Sequence, residues 1–242
     1  MVLPELSWQF AYARVGWALV LASLVAAAWP AAWRLPRRTL AAIIGASGLL
    51  MALPGEASPA WHLGLAFQYP SGLLLGLCVV KLVSCWTGMQ PATQVATPVM
   101  PLRLAALLAV AGSFLYLDAL GLLARGAYYA GFGPVAAPMM AVLLAGACAV
   151  AAVSGHGRGR PQACAILVAV LLFSLARLPS GNLWDALLDP LLWGWALVTL
   201  AAGALRKLSA RRLPAPATAH PAAGHPAAAH PAPPGAAAPA RR

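Results

Sequence analysis

The sequence predicts an all-α integral membrane protein of about seven transmembrane helices, and two observations support this prediction. Of the 242 residues, 62% are hydrophobic and only 9% are charged. A soluble domain usually carries about 25% charged and about 45–50% apolar residues, and a chain of this size cannot hide so much apolar surface from water. The apolar residues also fall into separate stretches of the length that a helix needs to cross a bilayer.

Seven apolar stretches are candidates for membrane helices, because the hydrocarbon core is about 30 Å thick and a helix rises about 1.5 Å per residue. They cover residues 12–32, 39–54, 64–86, 103–124, 134–153, 162–178 and 189–206. The first is not expected to be a cleavable signal peptide, because no basic region precedes it. The second and the sixth are the shortest.

Two features of the third stretch predict its local structure. Pro70 removes a backbone hydrogen bond, so we expect a kink there. Gly72 and Gly76 follow with the spacing that lets a neighbouring backbone approach closely. This spacing arises easily in a glycine-rich membrane protein, so packing within the bundle is favoured over a dimer contact.

The distribution of basic residues predicts the orientation, with the N-terminus outside and the C-terminus inside. Short loops that carry Lys and Arg are retained on the cytoplasmic side. In this orientation the outer side carries only Arg14, Arg125 and Arg177, each near a helix end. The inner connections carry Arg34, Arg37, Arg38, Arg103, Arg158, Arg160, Arg206, Lys207, Arg211 and Arg212.

The last part of the chain, residues 209–242, is predicted to be a disordered cytoplasmic tail that follows a membrane bundle over residues 1–208. It is rich in Ala and Pro and lacks the large apolar residues that a core needs. His220, His225 and His230 recur every five residues in it, each before a proline. We expect no bound metal there, because an extended proline-rich chain supplies no preformed ligand geometry.

The expected partners are the lipid bilayer and other membrane protein subunits. The net charge of +11 does not predict nucleic-acid binding, because the basic residues come in twos and threes between apolar stretches. No cofactor is expected: haem needs axial histidines inside helices, whereas His62 and His156 lie at opposite predicted faces. The last helix has no mid-membrane lysine for retinal, and no P-loop, HExxH or GxSxG motif is present.

A polar cluster inside the membrane is predicted around Asp118, the only acid well inside an apolar stretch. Asp118 and Arg177 lie at a similar depth of about 22 Å, and Arg125 lies roughly 10 Å above Asp118 on the same helix face. Because a charge inside the bilayer needs a partner, we expect Asp118 to point inward and to pair with Arg177, or to reach Arg125 through water. Arg14 is the fourth candidate member. A structural ion pair is favoured over a proton or ion site, because Asp118 is off-centre and no proline breaks its helix.

The second candidate site is a pair of acids in an outer loop, Asp185 and Asp189. They share one face if the segment is helical, and paired carboxylates can do acid–base chemistry or bind a cation. Asp189 also precedes Pro190, which suits the first turn of a helix with Asp189 as its N-cap. We therefore predict that Asp189 caps the last helix and that Asp185 stands alone. Four aromatic residues at the outer interface are expected to anchor the bundle or face a partner: Trp61, Tyr128, Tyr129 and Trp184.

These features favour a non-catalytic multi-pass subunit or scaffold of an assembly in the bacterial inner membrane, such as one that handles envelope lipid or polysaccharide. Transporters and membrane enzymes usually show several buried polar groups, whereas this chain shows essentially one. Two alternatives stay open. A small-solute or proton-coupled transporter would use Asp118 with Arg125 and Arg177 as charge partners. A membrane enzyme acting on a lipid-linked substrate would use Asp185, Asp189 and the outer arginines, with Asp185 and an arginine within hydrogen-bond reach.

Overall fold

The structure, a computed structural model, is helical throughout its regular elements and describes residues 5–30, 33, 35–88, 99–154 and 160–212. Within these ranges a 3-10 turn covers Gly55–Ala57. The α-helices are, in chain order, α1 (Leu6–Ala28), α2 (Arg37–Met51), α3 (Pro59–Phe67), α4 (Gly72–Thr87), α5 (Leu102–Ala119), α6 (Ala127–Ala130), α7 (Ala136–Ser154), α8 (Arg160–Ala176), α9 (Leu183–Leu187) and α10 (Pro190–Arg212).

Three segments in the described part of the chain are helical, long enough and apolar enough to cross a membrane: Leu6–Ala28, Leu102–Ala119 and Pro190–Ser209. Three shorter apolar helices cover Gly72–Thr87, Ala136–Ala151 and Arg160–Ala176. A helix lies in each of the seven predicted stretches, but length and composition identify only these three as candidate spans. The chain is therefore an all-helical protein with three candidate membrane spans, and seven crossings stay a prediction.

The third predicted stretch forms two helices instead of one kinked helix. α3 ends at Phe67, Gln68 takes a positive φ of 60°, and α4 begins only at Gly72. Pro70 lies in this break, where it has no N–H to donate, and its carbonyl accepts a hydrogen bond from the Tyr12 hydroxyl at 2.8 Å. The predicted kink is thus a complete break over residues 68–71, because the positive φ of Gln68 and the proline together end the helical path.

α4 and α8 pack at close range through small residues on both helices. A Cβ atom added at Gly72 would lie 3.0 Å from the Cα atom of Ala169, and one added at Gly76 would lie 2.9 Å from the Cα atom of Ala165. Both alanines are buried. The prediction that Gly72 and Gly76 serve packing within the bundle is confirmed.

α5 and α10 pack along each other through an aromatic contact. The indole N–H of Trp193 donates to the carbonyl of Ala109 at 3.3 Å, and the Trp193 ring meets the Tyr116 ring edge-on with centroids 5.6 Å apart. Gly112 makes room for this ring, since a Cβ atom there would lie 2.5 Å from Trp193. Buried residues of α1, α4, α5, α8 and α10 all contribute to one hydrophobic core.

The C-terminal helix runs further than predicted. α10 continues to Arg212, so residues 209–212 of the predicted tail are helical; the first of the two compact units of the chain ends at Ala204. Residues 213–242 lie outside the described residues, so the disordered tail stays a prediction for them. The same holds for Arg34, His156, Arg158, His220, His225 and His230.

Candidate functional site

Asp118 lies in the last turn of α5, and the loop that follows holds its carboxylate. One oxygen, Oδ1, accepts hydrogen bonds from the main-chain N–H groups of Arg125 at 2.6 Å and Gly126 at 3.1 Å. The other, Oδ2, accepts from the N–H of Tyr128 at 2.9 Å. Asp118 is only 3% exposed, so its side chain points inward as predicted. Its donors, however, all belong to the backbone.

The loop can present three N–H groups to one carboxylate because of its backbone conformation. Gly126 has a φ of 69°, a left-handed conformation that glycine adopts without steric cost. The N–H groups of residues 125–128 thereby converge, and Asp118 caps the first turn of the short helix α6 from a distant position in the sequence. Charge-assisted bonds of this kind fix the loop against the end of α5.

The predicted ion pair between Asp118 and Arg177 is wrong. Among the described residues no ion pair joins Asp118 to an arginine, and the Arg177 guanidinium lies over the Phe173 ring, 4.9 Å from its centroid. The depth estimate assumed a helix that continues to residue 124, whereas α5 ends at Ala119. Because the chain turns back there, Arg125 reaches Asp118 directly through its main-chain N–H and not through water. Arg14 lies elsewhere and lines a cavity together with Trp61.

Asp189 holds the starts of two helices. Its Oδ1 accepts from the N–H of Leu192 at 2.7 Å, which confirms Asp189 as the N-cap of α10. Its Oδ2 accepts from the N–H of Ser71, the N-cap residue of α4, at 2.6 Å. Asp189 and Ser71 are 6% and 0% exposed. The positive ends of two helix dipoles therefore meet at one buried carboxylate.

The sequence predicted that Asp185 stands alone, but in the structure its carboxylate has two hydrogen-bond donors. Its Oδ1 accepts from the Tyr128 hydroxyl at 3.0 Å, and its Oδ2 accepts from the Ser180 hydroxyl. Burial raises the pKa of Asp185, and these two hydrogen bonds oppose the increase in part. Burial, reinforced by the charge of Asp185, raises the pKa of Tyr128 to about 12. Tyr128 is therefore protonated at neutral pH and acts as the donor.

The loops around Asp118 and Asp185 are joined to each other by further hydrogen bonds. The Asn182 side chain donates to the carbonyl of Tyr128 at 3.3 Å and accepts from the N–H of Trp184 at 2.9 Å. The Trp184 indole N–H donates to the carbonyl of Ala127 at 2.9 Å. Tyr128 and Trp184 thus take part in an internal contact, whereas Trp61 and Tyr129 are 46% and 66% exposed and fit an interface role.

A cavity of about 320 Å³ lies beside these acids and is called the acidic cavity below. Its lining includes both acids, Asp185 and Asp189, and among the described residues no Lys, Arg or His lines it. The lining also includes one glutamine and four aromatic residues. They come from the end of α3 and the break after it, and from α5 and α6: Phe67, Gln68, Tyr69, Tyr116 and Tyr128. The hydroxyl of Tyr116 is buried and finds no hydrogen-bond partner within the described structure.

Sequence reasoning singled out both acids of this cavity but not the cavity itself. Its lining comes from three segments far apart in the chain, near residues 66–69, 116–128 and 179–190. The sequence signal that could have indicated the cavity is the polar pair Gln68–Tyr69 beside Pro70. Sequence analysis interpreted Pro70 only as a kink. For the described residues, no group of three His, Cys, Asp or Glu side chains is close enough to hold a metal ion.

The chain matches no protein-family model, no curated protein and no solved structure. Its function is therefore inferred from the geometry of its own residues. That geometry offers carboxylates bound to helix ends and loops, and one acidic cavity between them.

Proposed function

We propose that the chain is a non-catalytic, multi-pass subunit or scaffold of a membrane assembly, in a setting that handles envelope lipid or polysaccharide. One observation carries this proposal: all three internal acids accept hydrogen bonds from the protein itself. Asp118 and Asp189 accept from main-chain N–H groups, and Asp185 accepts from two hydroxyls. Carboxylates engaged in this way stabilise the ends of helices, which is a structural role.

The proposed arrangement has seven crossings of the bacterial inner membrane, with the N-terminus outside and the C-terminus inside. The three candidate spans, the three shorter apolar helices and α2 supply the crossings. α2 has 15 residues and is about 22 Å long. A helix of this length requires local thinning of the bilayer. The uneven distribution of Lys and Arg supports the orientation, and the acidic cavity would then lie towards the outer side.

An apolar face of α5 supports a subunit role. Leu107, Val110 and Phe114 are 64%, 72% and 44% exposed. They are spaced three and four residues apart, so they lie on one side of the helix. In a bilayer such a face contacts lipid or a neighbouring subunit, and we propose that α5 packs against a neighbouring subunit.

Site-specific photo-crosslinking in native membranes tests this role. A photoreactive amino acid is placed at Val110 or Phe114 on the exposed face, or at Ala109, which is 7% exposed, as the matched control. We expect one discrete protein adduct of the same mass from Val110 and Phe114 and none from Ala109. Adducts with lipid alone at both exposed positions would exclude a neighbouring subunit on this face.

A transporter of a small cation is the second candidate, and the break in the third predicted stretch is the observation that favours it. Discontinuous helices line the substrate sites of many transporters, and here the break adjoins the acidic cavity. The acid concerned would be Asp185 and not Asp118, whose oxygens are held by the loop. Uptake of labelled methylammonium by proteoliposomes, lost in Asp185→Asn, would distinguish this candidate. The enzyme alternative required an arginine beside Asp185, and none of the arginines that the structure describes lines the cavity.

A further inference from the structure

A second, larger cavity lies between α1 and α3 and is called the α1–α3 cavity below. Its volume of about 760 Å³ is within the usual range of ligand pockets. Much of its lining is apolar or aromatic, including Phe10, Trp61 and Leu65. Arg14 and Trp61, which sequence analysis singled out, both line it. The hydrogen bonds of the three internal acids use neither of them.

Arg14 is the one charged residue in the lining of the α1–α3 cavity, as far as the structure describes the chain. Its guanidinium has neither an ion pair nor a hydrogen bond with any described residue. Glu56 lies in the turn between the lining residues Gly55 and Ser58, but its exposed side chain is not part of the lining. The positive charge of Arg14 is therefore not neutralised by the described part of the chain.

The position of Arg14 along α1 makes a counter-charge valuable. α1 is a candidate membrane span that begins at Leu6, so Arg14 lies about 12 Å from its start. A charge at such a depth is costly in a bilayer and is normally paired. A long arginine side chain can also extend towards the head groups of the lipids. In both cases the anions that the membrane itself supplies are lipid phosphates.

Two further donors from the break between α3 and α4 line the same cavity. They are the side-chain amide of Gln68 and the hydroxyl of Tyr69, and neither donates to a residue that the structure describes. Gln68 has a φ of 60° and a ψ of −109°, a conformation that is costly for a residue other than glycine and is found mainly at functional sites. Guanidinium, amide and hydroxyl donors together suit the oxygens of a phosphate.

We propose that the α1–α3 cavity binds one anionic phospholipid, with its phosphate at Arg14 and an acyl chain along the apolar lining. Phe10 and Leu65 are 55% and 73% exposed, so the apolar part of the cavity is open to a lipid chain. A zwitterionic lipid is disfavoured, because its head-group cation would meet Arg14 and no described acid in the lining. The inference rests on the membrane location of the proposed function but not on a neighbouring subunit.

Gly64 allows the cavity to be filled without disturbing the protein. It lies in α3 and lines the cavity, and a Cβ atom added there would meet nothing within 4 Å. Gly64→Leu therefore places a side chain in the space that the lipid would occupy. Gly45→Leu, in α2, is its matched control, because that position is equally open and lies outside the lining. Arg14→Gln removes the charge, and Arg125→Gln removes an exposed arginine outside the cavity as its control.

Native mass spectrometry of the full chain, released from a maltoside detergent, tests the proposal. The chain is titrated with dioleoyl phosphatidylglycerol, and the dissociation constant of the first bound lipid is measured. Phosphatidylcholine with the same chains is the zwitterionic comparison, and soluble glycerol phosphate is the competitor without chains. The thermal unfolding midpoint in detergent shows whether each variant is folded.

We expect phosphatidylglycerol to bind about tenfold more tightly than phosphatidylcholine. Arg14→Gln should weaken phosphatidylglycerol binding about tenfold and Gly64→Leu at least about fivefold, whereas Arg125→Gln and Gly45→Leu should leave it unchanged. The proposal is overturned if the two lipids bind equally, or if a folded Arg14→Gln or Gly64→Leu variant binds phosphatidylglycerol like the unmodified chain. If one of these two variants does not fold, the other decides.

Glycerol phosphate separates a lipid site from a site for a free anion. We expect it not to displace the lipid at equal concentration, because it has no chain to contact the apolar lining. Equal displacement would assign the cavity to a free phosphate and overturn the lipid. None of these results affects photo-crosslinking from α5, so failure of the lipid site is distinguishable from failure of the subunit role.

Discussion

The carboxylate of Asp189 accepts a hydrogen bond from the main-chain N–H of Ser71 at 2.6 Å, although 118 residues separate the two in the sequence. Because Asp189 also caps α10 through Leu192, one side chain holds the starts of two helices together. The break in the third predicted stretch is therefore stabilised by an acid that follows α9. This contact makes Asp189 a structural residue even though it lines a cavity.

Replacing Asp189 by alanine leaves two buried N–H groups, those of Ser71 and Leu192, without acceptors. We expect Asp189→Ala to lower the free energy of unfolding by about 3 kcal/mol, from the lost cap and the unsatisfied donors. Asp189→Asn keeps one acceptor oxygen and should cost about half as much. Titration with SDS in mixed micelles measures both values, with the exposed Glu56→Ala as control. Equal stability of Asp189→Ala and the unmodified chain would contradict the double cap.

Adding one methyl group at Gly76 should disrupt the contact between α4 and α8. The added Cβ atom would lie 2.8 Å from the Cβ atom of Ala165 and 2.9 Å from its Cα atom, so a backbone must move. We expect Gly76→Ala to lower the free energy of unfolding by about 1–3 kcal/mol. Gly45→Ala, in α2, is the control: nothing lies within 4 Å of its added Cβ atom, so it should be neutral or stabilise by up to about 1 kcal/mol. Similar effects at both positions would argue against close helix packing.

The raised pKa of Asp185 predicts a pH dependence with a definite sign. Because its pKa in the folded chain lies above that in the unfolded chain, protonated Asp185 contributes stability that is complete below the unfolded pKa and is lost as pH rises through the folded pKa. The thermal unfolding midpoint measured over a series of pH values should therefore fall over this interval. The titratable groups around Asp185 in the cavity are Asp189, Tyr69, Tyr116 and Tyr128.

Tyr128→Phe tests the sign of this dependence. The hydrogen bond from the Tyr128 hydroxyl stabilises the Asp185 carboxylate, so its removal should raise the pKa of Asp185 further. The pH interval in which the thermal unfolding midpoint falls is expected to move to higher pH. An interval that moves to lower pH, or a midpoint that does not fall as pH rises through it, would show that Asp185 does not cause this pH dependence.

Local sequence patterns predicted several features of this protein correctly. Asp189 before Pro190 indicated a helix N-cap, which depends only on neighbouring residues, and the structure confirms it. The spacing of Gly72 and Gly76 indicated close helix packing, which the contact with Ala165 and Ala169 confirms. Both features follow from chemistry within one or two turns of a helix.

The partners of Asp118 could not be predicted in the same way. Depth along an assumed helix placed Arg177 beside it, but the estimate depended on where the helix ends. α5 ends at Ala119, and the left-handed Gly126 then brings backbone donors onto the carboxylate. Tyr128 was similarly interpreted as an interface anchor, because the sequence shows its type but not the fold of the loop that turns it towards Asp185.

The central claim is that Asp118 is a structural acid held by its own loop. The most direct test is the thermal unfolding midpoint of Asp118→Asn, Arg177→Gln and the double variant in detergent. We expect Asp118→Asn to lower the midpoint by on the order of 5 °C, Arg177→Gln to change it little, and the double variant to equal the sum. A double variant milder than the sum would restore the ion pair with Arg177. An unchanged midpoint in Asp118→Asn would contradict the structural role and leave its carboxylate available to a proton or an ion.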